Sequence, residues 1–178
     1  MPQSALIVRV PEAEPHVSHY REQYDPSAKL GVPAHITVLY PFLPPELINS
    51  AILEKVQAAI SCETAFPFHL ATVGRFPGVV YLNPEPSDPF VSLTRAITQA
   101  FPDYPPYRGQ HAGTVPHLTA AQTGEPEQGA VAAELHRLLE NLGSIVSSCN
   151  ELVLIENSTG RWEQMHVFCL APSPPTDA

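Results

Sequence analysis

The chain has 178 residues, of which 44% are hydrophobic and 15% charged, a balance typical of a folded domain rather than a disordered segment or a coiled coil. Its net charge of −9, with nine lysines and arginines, excludes a protein that grips a long nucleic-acid tract, because such binding needs clustered cations. The apolar runs are too short to cross a bilayer, and the first ten residues do not resemble a secretory signal, so we expect a cytoplasmic protein without membrane contact. The three cysteines, Cys62, Cys149 and Cys169, have no disulfide or metal spacing and are expected to be buried apolar side chains.

Hydrophobic periodicity in the first half predicts the order strand, helix, strand, helix, hairpin. The predicted ranges are a strand at 4–10, a helix at 12–25, a strand at 35–40, a helix at 45–60, and paired strands at 66–73 and 79–82. Pro45 suits the first position of the second helix, because the amide proton that proline lacks would be unpaired there.

The second half repeats the helix, strand, helix and hairpin. A helix capped by Ser87 is followed by a strand at 115–121, a helix at 126–142, and strands at 151–156 and 165–170. Repetition at an offset of 82 residues predicts an α+β fold with two lobes about a pseudo-twofold axis, each a mainly antiparallel sheet packed by helices, with a cleft between them. The domain is expected to span 1–171, with approximate halves 1–84 and 85–171, and to end in a disordered tail at 172–178.

Two segments place a histidine and a threonine two positions apart inside an otherwise apolar strand. They are PAHITVLYPF, with His35 and Thr37, and TVPHLTAAQ, with His117 and Thr119. Side chains two apart on a strand share a face, so each pair projects together while its apolar neighbours face the helices. One such pattern is weak evidence for a site, because a single strand histidine is usually structural. Two of them in apolar strands, each soon after a proline and at the repeat offset, predict that four polar groups meet in one cleft.

Two imidazoles and two hydroxyls suit phosphoryl transfer. Histidine titrates near neutral pH, so one imidazole can act as a base while the other, protonated, acts as an acid. The hydroxyls of Thr37 and Thr119 can bind the non-bridging phosphate oxygens, where negative charge accumulates in the transition state. The scheme requires no metal and no other cofactor.

The arrangement resembles the two-histidine phosphoesterase superfamily, which includes bacterial 2′-5′ RNA ligases and 2′,3′-cyclic nucleotide phosphodiesterases. The specific signal is confined to the two His-x-Thr motifs, while the order of elements covers most of the chain. The resemblance implies metal-independent opening of 2′,3′-cyclic phosphates on nucleotides or RNA ends, with a 2′-phosphate as product. It also implies His117 as the base and His35 as the acid, an order that the residues alone do not fix. We expect a monomer that holds its substrate at one or two phosphates.

One position departs from the ligase-like members of that superfamily. An arginine commonly follows their second threonine by three positions, whereas this chain has Gln122 there, which makes Gln122 a candidate contact and favours hydrolysis over RNA-end joining. Two alternatives stay open: a 2′-5′ RNA ligase, with a 5′-hydroxyl as nucleophile, and a non-catalytic module that binds phosphonucleotides. Joined RNA ends would identify the first, and ligand-induced stabilisation without turnover the second.

Further substrate contacts are predicted beside the two motifs. Tyr40 and Phe42 end the first motif strand and can wall a nucleobase pocket. The proline-rich loop before the second motif offers Tyr107 for stacking on a base, and Arg108 or His111 for a phosphate. The alternative for these residues is a structural or solvent-exposed role.

Overall fold

The computed structural model describes residues 1–109 and 115–173, and its strands form one antiparallel sheet. The strands are β1 (Ser4–Arg9), β2 (His35–Leu39), β3 (Phe66–Phe76), β4 (Val79–Glu85), β5 (Leu118–Gln122), β6 (Ile145–Cys149), β7 (Glu151–Glu156) and β8 (Glu163–Cys169). The helices are α1 (Glu14–Tyr24), the short α2 (Pro26–Lys29), α3 (Ser50–Ala59), α4 (Asp88–Ala100) and α5 (Glu127–Leu142). Across the sheet the order is β6-β3-β4-β5-β2-β1-β7-β8, so the two motif strands, β2 and β5, lie side by side at its centre.

The helices cover one face of this sheet. The side chains between and after the motif positions, Ile36, Val38, Leu118 and Ala120, are each no more than 2% exposed and belong to the main core. Helix α4 packs against β2, while α1 packs against β5 and α5 against β3. Strand alternation therefore directs the motif histidines and threonines to the opposite, uncovered face. The predicted α+β class, with helices on an antiparallel sheet, is confirmed.

Strands from the two halves of the chain interleave in the sheet. β3 and β4 come from the first half but lie beside β6 and β5, whereas β7 pairs with β1 and β8 pairs with β7. The sheet is continuous through the approximate halves 1–84 and 85–171, and the division into two lobes stays a prediction. Residues 174–178 of the predicted tail lie outside the described residues.

The helix predicted at 45–60 begins later than expected. Pro45–Leu47 form a 3-10 turn, and Ile48 is extended with ψ of 109°. The side chain of Asn49 then accepts the amide proton of Ile52 at 3.1 Å, so α3 begins at Ser50. An asparagine that satisfies a free amide is a stronger start signal than a proline.

Strand β6 was not predicted, because its inward positions are not all apolar. Ile145, Ser147 and Cys149 face inward, and the Ser147 hydroxyl donates to Glu12 at 2.7 Å. A buried serine hides the alternation that reveals a strand in a sequence.

Two smaller predictions were also wrong. Ser87 precedes α4, but its side chain makes no capping bond; its backbone carbonyl accepts the Phe90 amide proton instead. Of the three cysteines, Cys149 is buried, whereas Cys62 and Cys169 are exposed. Within residues 1–109 and 115–173, no helix has the length and apolar character needed to span a membrane.

Candidate active site

The pairing of β2 with β5 brings the two motifs together at the centre of the sheet. Ile36 lies opposite Leu118 in an antiparallel pair, which places each motif histidine across from the threonine of the other strand. The two histidines are then diagonal neighbours, whose Cα atoms lie about 7–8 Å apart in regular antiparallel geometry. At that spacing two imidazoles can contact opposite sides of one small bound group.

Both imidazoles are held in the same way. Nδ1 of His35 donates to the Pro33 carbonyl at 2.8 Å, and Nδ1 of His117 donates to the Val115 carbonyl at 2.7 Å. A carbonyl oxygen only accepts, so each Nδ1 carries a proton whether the ring is neutral or charged. Proton exchange is therefore left to Nε2 on both rings, as a base and an acid in one reaction require.

A cavity of about 1000 Å³ opens above the motif face of the sheet. Its lining includes seven of the predicted site residues: His35, Thr37, Tyr40, Tyr107, His117, Thr119 and Gln122. Sequence positions as far apart as 35 and 122 thus contribute to one space.

Two predicted contacts are placed elsewhere, and a third is not among the described residues. Phe42 is 3% exposed and packs edge-on against Phe101 and Tyr104 in the core, so it does not line the cavity. Arg108 is exposed and is not among the lining residues. His111 lies outside the described residues.

Tyr107 reaches the first motif from the loop before the second. Its side chain hydrogen-bonds with Thr37, and its amide donates to the Tyr40 carbonyl at 2.7 Å. Tyr107 and Arg108 have φ of 49° and 55°, left-handed values that cost non-glycine residues about 1–3 kcal/mol each. This strained backbone places the Tyr107 phenol beside the hydroxyl of Thr37, which is predicted to bind the phosphate.

Burial disfavours the protonated form of both histidines in the free protein. It lowers the pKa of His35 to about 4, against an ordinary 6.5; the Pro33 carbonyl opposes this effect, and the Arg21 charge adds to it. Burial also lowers the pKa of His117. Both rings are therefore neutral at pH 7, and a bound anion is needed to stabilise a proton on either.

The lowered pKa of His35 predicts a pH-dependent stability. In the unfolded chain this histidine titrates near 6.5, so its contribution is complete above that pH and is lost as the pH falls toward 4. We expect the free energy of unfolding in urea to fall by about 2 kcal/mol between pH 7 and pH 5 through this group. His35→Asn should reduce this change in the free energy of unfolding by that amount. An unchanged pH dependence would contradict the lowered pKa of His35.

A buried ion pair supports the segment that leads into β2. The Arg21 guanidinium donates to Asp25 at 3.0 and 3.1 Å and to the Val32 carbonyl at 3.0 Å, and both side chains are at most 3% exposed. Asp25 also accepts from the amide and hydroxyl of Ser27. The pair thus ties the end of α1 and α2 to the residues just before His35. It lies too far from the motifs in sequence to be predicted from spacing.

Sequence reasoning missed the far side of the cavity. Gln3, Asn157 and Trp162 all line it. They come from opposite ends of the chain and meet because β1 pairs with β7. No local pattern marks them.

Comparisons with known proteins bear on both fold and family. The model of a family described as the 2′-5′ RNA ligase superfamily matches residues 10–161. The crystal structure of E. coli LigT complexed with 3′-AMP is similar over 96% of this chain and 98% of that chain, at 15% identity and a TM-score of 0.55. LigT complexed with NADP+ is similar over 95% and 97%, at 16% identity and a TM-score of 0.56.

A protein from another organism gives the same result. The crystal structure of TT0787 of Thermus thermophilus is similar over 97% of this chain and 100% of that chain, at 16% identity and a TM-score of 0.63. At these identities the structures show a shared fold alone. No curated protein matches the chain.

Proposed function

The chain belongs to the 2′-5′ RNA ligase superfamily, and from that premise we propose that it is a metal-independent phosphodiesterase that opens 2′,3′-cyclic phosphates of nucleotides or RNA ends. One observation carries the proposal: two histidines with Nδ1 bound to a carbonyl face one cavity beside two threonine hydroxyls. That set provides a base, an acid and two donors for the non-bridging oxygens, which together suffice for hydrolysis of a phosphodiester.

The reaction is a single in-line displacement at phosphorus. Nε2 of His117 takes a proton from water, whose oxygen forms the new bond to phosphorus. The bond from phosphorus to O3′ breaks, and O3′ takes the proton of Nε2 on His35, which leaves a 2′-phosphate. Thr37 and Thr119 donate to the two non-bridging oxygens, where negative charge increases. Afterwards one proton leaves His117 and one returns to His35 from solvent.

The environments of the two rings agree with this order. Burial lowers the pKa of His35 to about 4, so its protonated form is a strong acid toward the leaving oxygen. Burial also lowers the pKa of His117, so that ring is neutral before the reaction and its Nε2 can accept the proton of water. The phosphodiester carries one negative charge, and its attraction raises the pKa of both rings when it binds, so that His35 can hold the proton.

The charge of the cavity favours a small substrate and hydrolysis. Among its lining residues in the described part of the chain, none is lysine or arginine. Joining RNA requires two strands with several phosphates, whose repulsion calls for cations. Gln122 lines the cavity where ligase-like relatives commonly carry an arginine. LigT, a protein of the same fold, was crystallised with 3′-AMP, which agrees with a nucleotide-sized ligand.

The test is turnover of the four nucleoside 2′,3′-cyclic monophosphates in the presence of EDTA, with products separated by chromatography. We expect nucleoside 2′-monophosphates and no loss of rate with the chelator. RNA fragments with 2′,3′-cyclic phosphate and 5′-hydroxyl ends, incubated in parallel, should be hydrolysed rather than joined. Joined 2′-5′ products would favour the ligase alternative. Thermal stabilisation by nucleotides without any product would favour the binding module.

A further inference from the structure

The two sides of the cavity differ in the side chains that flank the motif strands. Thr119 on β5 is paired with Tyr81 on β4, and Thr37 on β2 is paired with Ile7 on β1, so Tyr81 and Ile7 hold equivalent positions. Tyr81 is 8% exposed, and its ring contacts the His117 ring at 5.3 Å between centroids. Ile7 is aliphatic and 1% exposed, and it belongs to an apolar cluster against which Tyr40 and Trp162 pack.

Two further contacts show that aromatic packing fills the His117 side. The Tyr81 ring stacks on Phe76 at 4.4 Å with an interplanar angle of 27°. It also lies over Gly74, where a Cβ atom would overlap the ring. On the His35 side, the rings of Tyr40 and Trp162 line the cavity.

On the His35 side of the cavity, two aromatic rings pack on an apolar cluster. The cluster includes Ala5, Ile7, Val32 and Ile155, each at most 6% exposed. Tyr40 and Trp162 pack against that cluster, with ring centroids 6.2 Å apart and an interplanar angle of 66°. Aromatic rings that line a cavity suit a planar ring of the ligand.

Two side-chain amides lie at the edge of the same space. The backbone amide of Gln3 donates to Oδ1 of Asn157 at 2.6 Å, so the side-chain NH₂ group of Asn157 is not used in that bond. The Tyr40 hydroxyl donates to Oε1 of Gln3 at 2.9 Å, so the Gln3 NH₂ group is not used in that bond either. Both residues line the cavity. Their NH₂ groups can donate to carbonyl or ring-nitrogen acceptors of a heterocycle.

The described residues around this space offer no cationic side chain for a second phosphate. None of the described residues lining the cavity is lysine or arginine. Its one carboxylate, Asp25, is already bound by Arg21. The group that fits is therefore planar, uncharged and rich in acceptors on one edge.

We propose that Trp162, Tyr40, Gln3 and Asn157 form a nucleobase subsite on the His35 side of the cavity, and that the two amides select among bases by their acceptor edge. The proposal rests on the proposed function, because it takes the ligand to be a nucleotide whose phosphate lies at the motifs. Ile7, in the cluster against which Tyr40 and Trp162 pack, is the cross-strand partner of Thr37, so this cluster begins about 5 Å from Thr37, within reach of a ribose.

The first test compares nucleotides with a base-free substrate, ribose 2′,3′-cyclic phosphate. Trp162→Ala should raise KM for the nucleotides about 5- to 100-fold, the usual range for loss of base stacking, and leave kcat/KM for the base-free substrate within about twofold. Trp162→Phe keeps a ring and should stay near the parent. Equal effects of Trp162→Ala on both substrates, or on neither, would overturn the subsite while leaving the phosphodiesterase intact.

The second test concerns selection. Gln3→Leu and Asn157→Leu should reduce the spread of kcat/KM among the four bases by roughly tenfold, the order expected for one lost hydrogen bond. Gln99→Leu, at an exposed glutamine of α4, is the matched control and should leave the spread unchanged. An unchanged spread in both Gln3→Leu and Asn157→Leu would show that the amides do not read the base.

Binding separates failure of the subsite from failure of the proposed function. If the parent opens no cyclic phosphate, the reaction is wrong, and calorimetric titration with nucleoside 2′-monophosphates and with ribose 5-phosphate tests the subsite alone. Tighter binding of the nucleotides, lost in Trp162→Ala, would support it. Equal affinity of the parent for nucleotides and ribose 5-phosphate would contradict it.

Discussion

Replacing either motif histidine with alanine lowers kcat for the opening of a 2′,3′-cyclic nucleotide by roughly two to four orders of magnitude. His35→Ala removes the proton donor for the leaving oxygen, and His117→Ala removes the acceptor for the proton of water. The two losses are not additive, because acid and base act in one step. The kcat of the double variant should therefore be close to that of the less active single variant. Steady-state kinetics with each variant provides the measurement.

The control is a histidine that lies outside the cavity. His136 lies exposed on α5 and does not line the cavity, so His136→Ala should retain the parent kcat. Circular dichroism of all variants checks that the fold is kept. Parent-like turnover in both His35→Ala and His117→Ala would rule out two-histidine catalysis.

The second large effect concerns the threonine hydroxyls. Thr37→Val and Thr119→Val keep the shape of the side chain but remove a donor to a charged oxygen, an interaction worth about 1.5–3 kcal/mol. Each should lower kcat by about 10- to 150-fold with a smaller effect on KM, because the bond strengthens as charge develops in the transition state. Replacement by serine should retain most of the activity.

A threonine elsewhere in the sheet provides the comparison. Thr72 is exposed on β3 and outside the cavity, so Thr72→Val should leave kcat unchanged. A rise in KM with no change in kcat for Thr37→Val and Thr119→Val would mean that the hydroxyls bind the ground state and the transition state equally, which contradicts a role in transition-state stabilisation.

Local geometry made the centre of the site predictable from the sequence. Strand alternation has a period of two, so His35 and Thr37 had to share a face once the strand was recognised. The outer wall was not predictable in this way. Gln3 and Asn157 are 154 positions apart and meet only through the pairing of β1 with β7. Such long-range pairing has no signature in either segment alone.

Packing determines which of two aromatic residues with the same sequence-based prediction lines the cavity. Tyr40 and Phe42 lie two apart at the end of β2, and both were predicted as contacts. Tyr40 lines the cavity, whereas Phe42 is held in the core by Phe101 and Tyr104. The chain leaves the strand after Leu39, so alternation no longer relates the two side chains.

The most direct test of the account is a crystal structure with a bound nucleoside 2′-monophosphate, the proposed product. Two-histidine catalysis predicts one phosphate between Nε2 of His35 and Nε2 of His117, within about 3.2 Å of each, with its other oxygens on Thr37 and Thr119. A phosphate that contacts only one of the two imidazoles, or that binds outside this cavity, would contradict it.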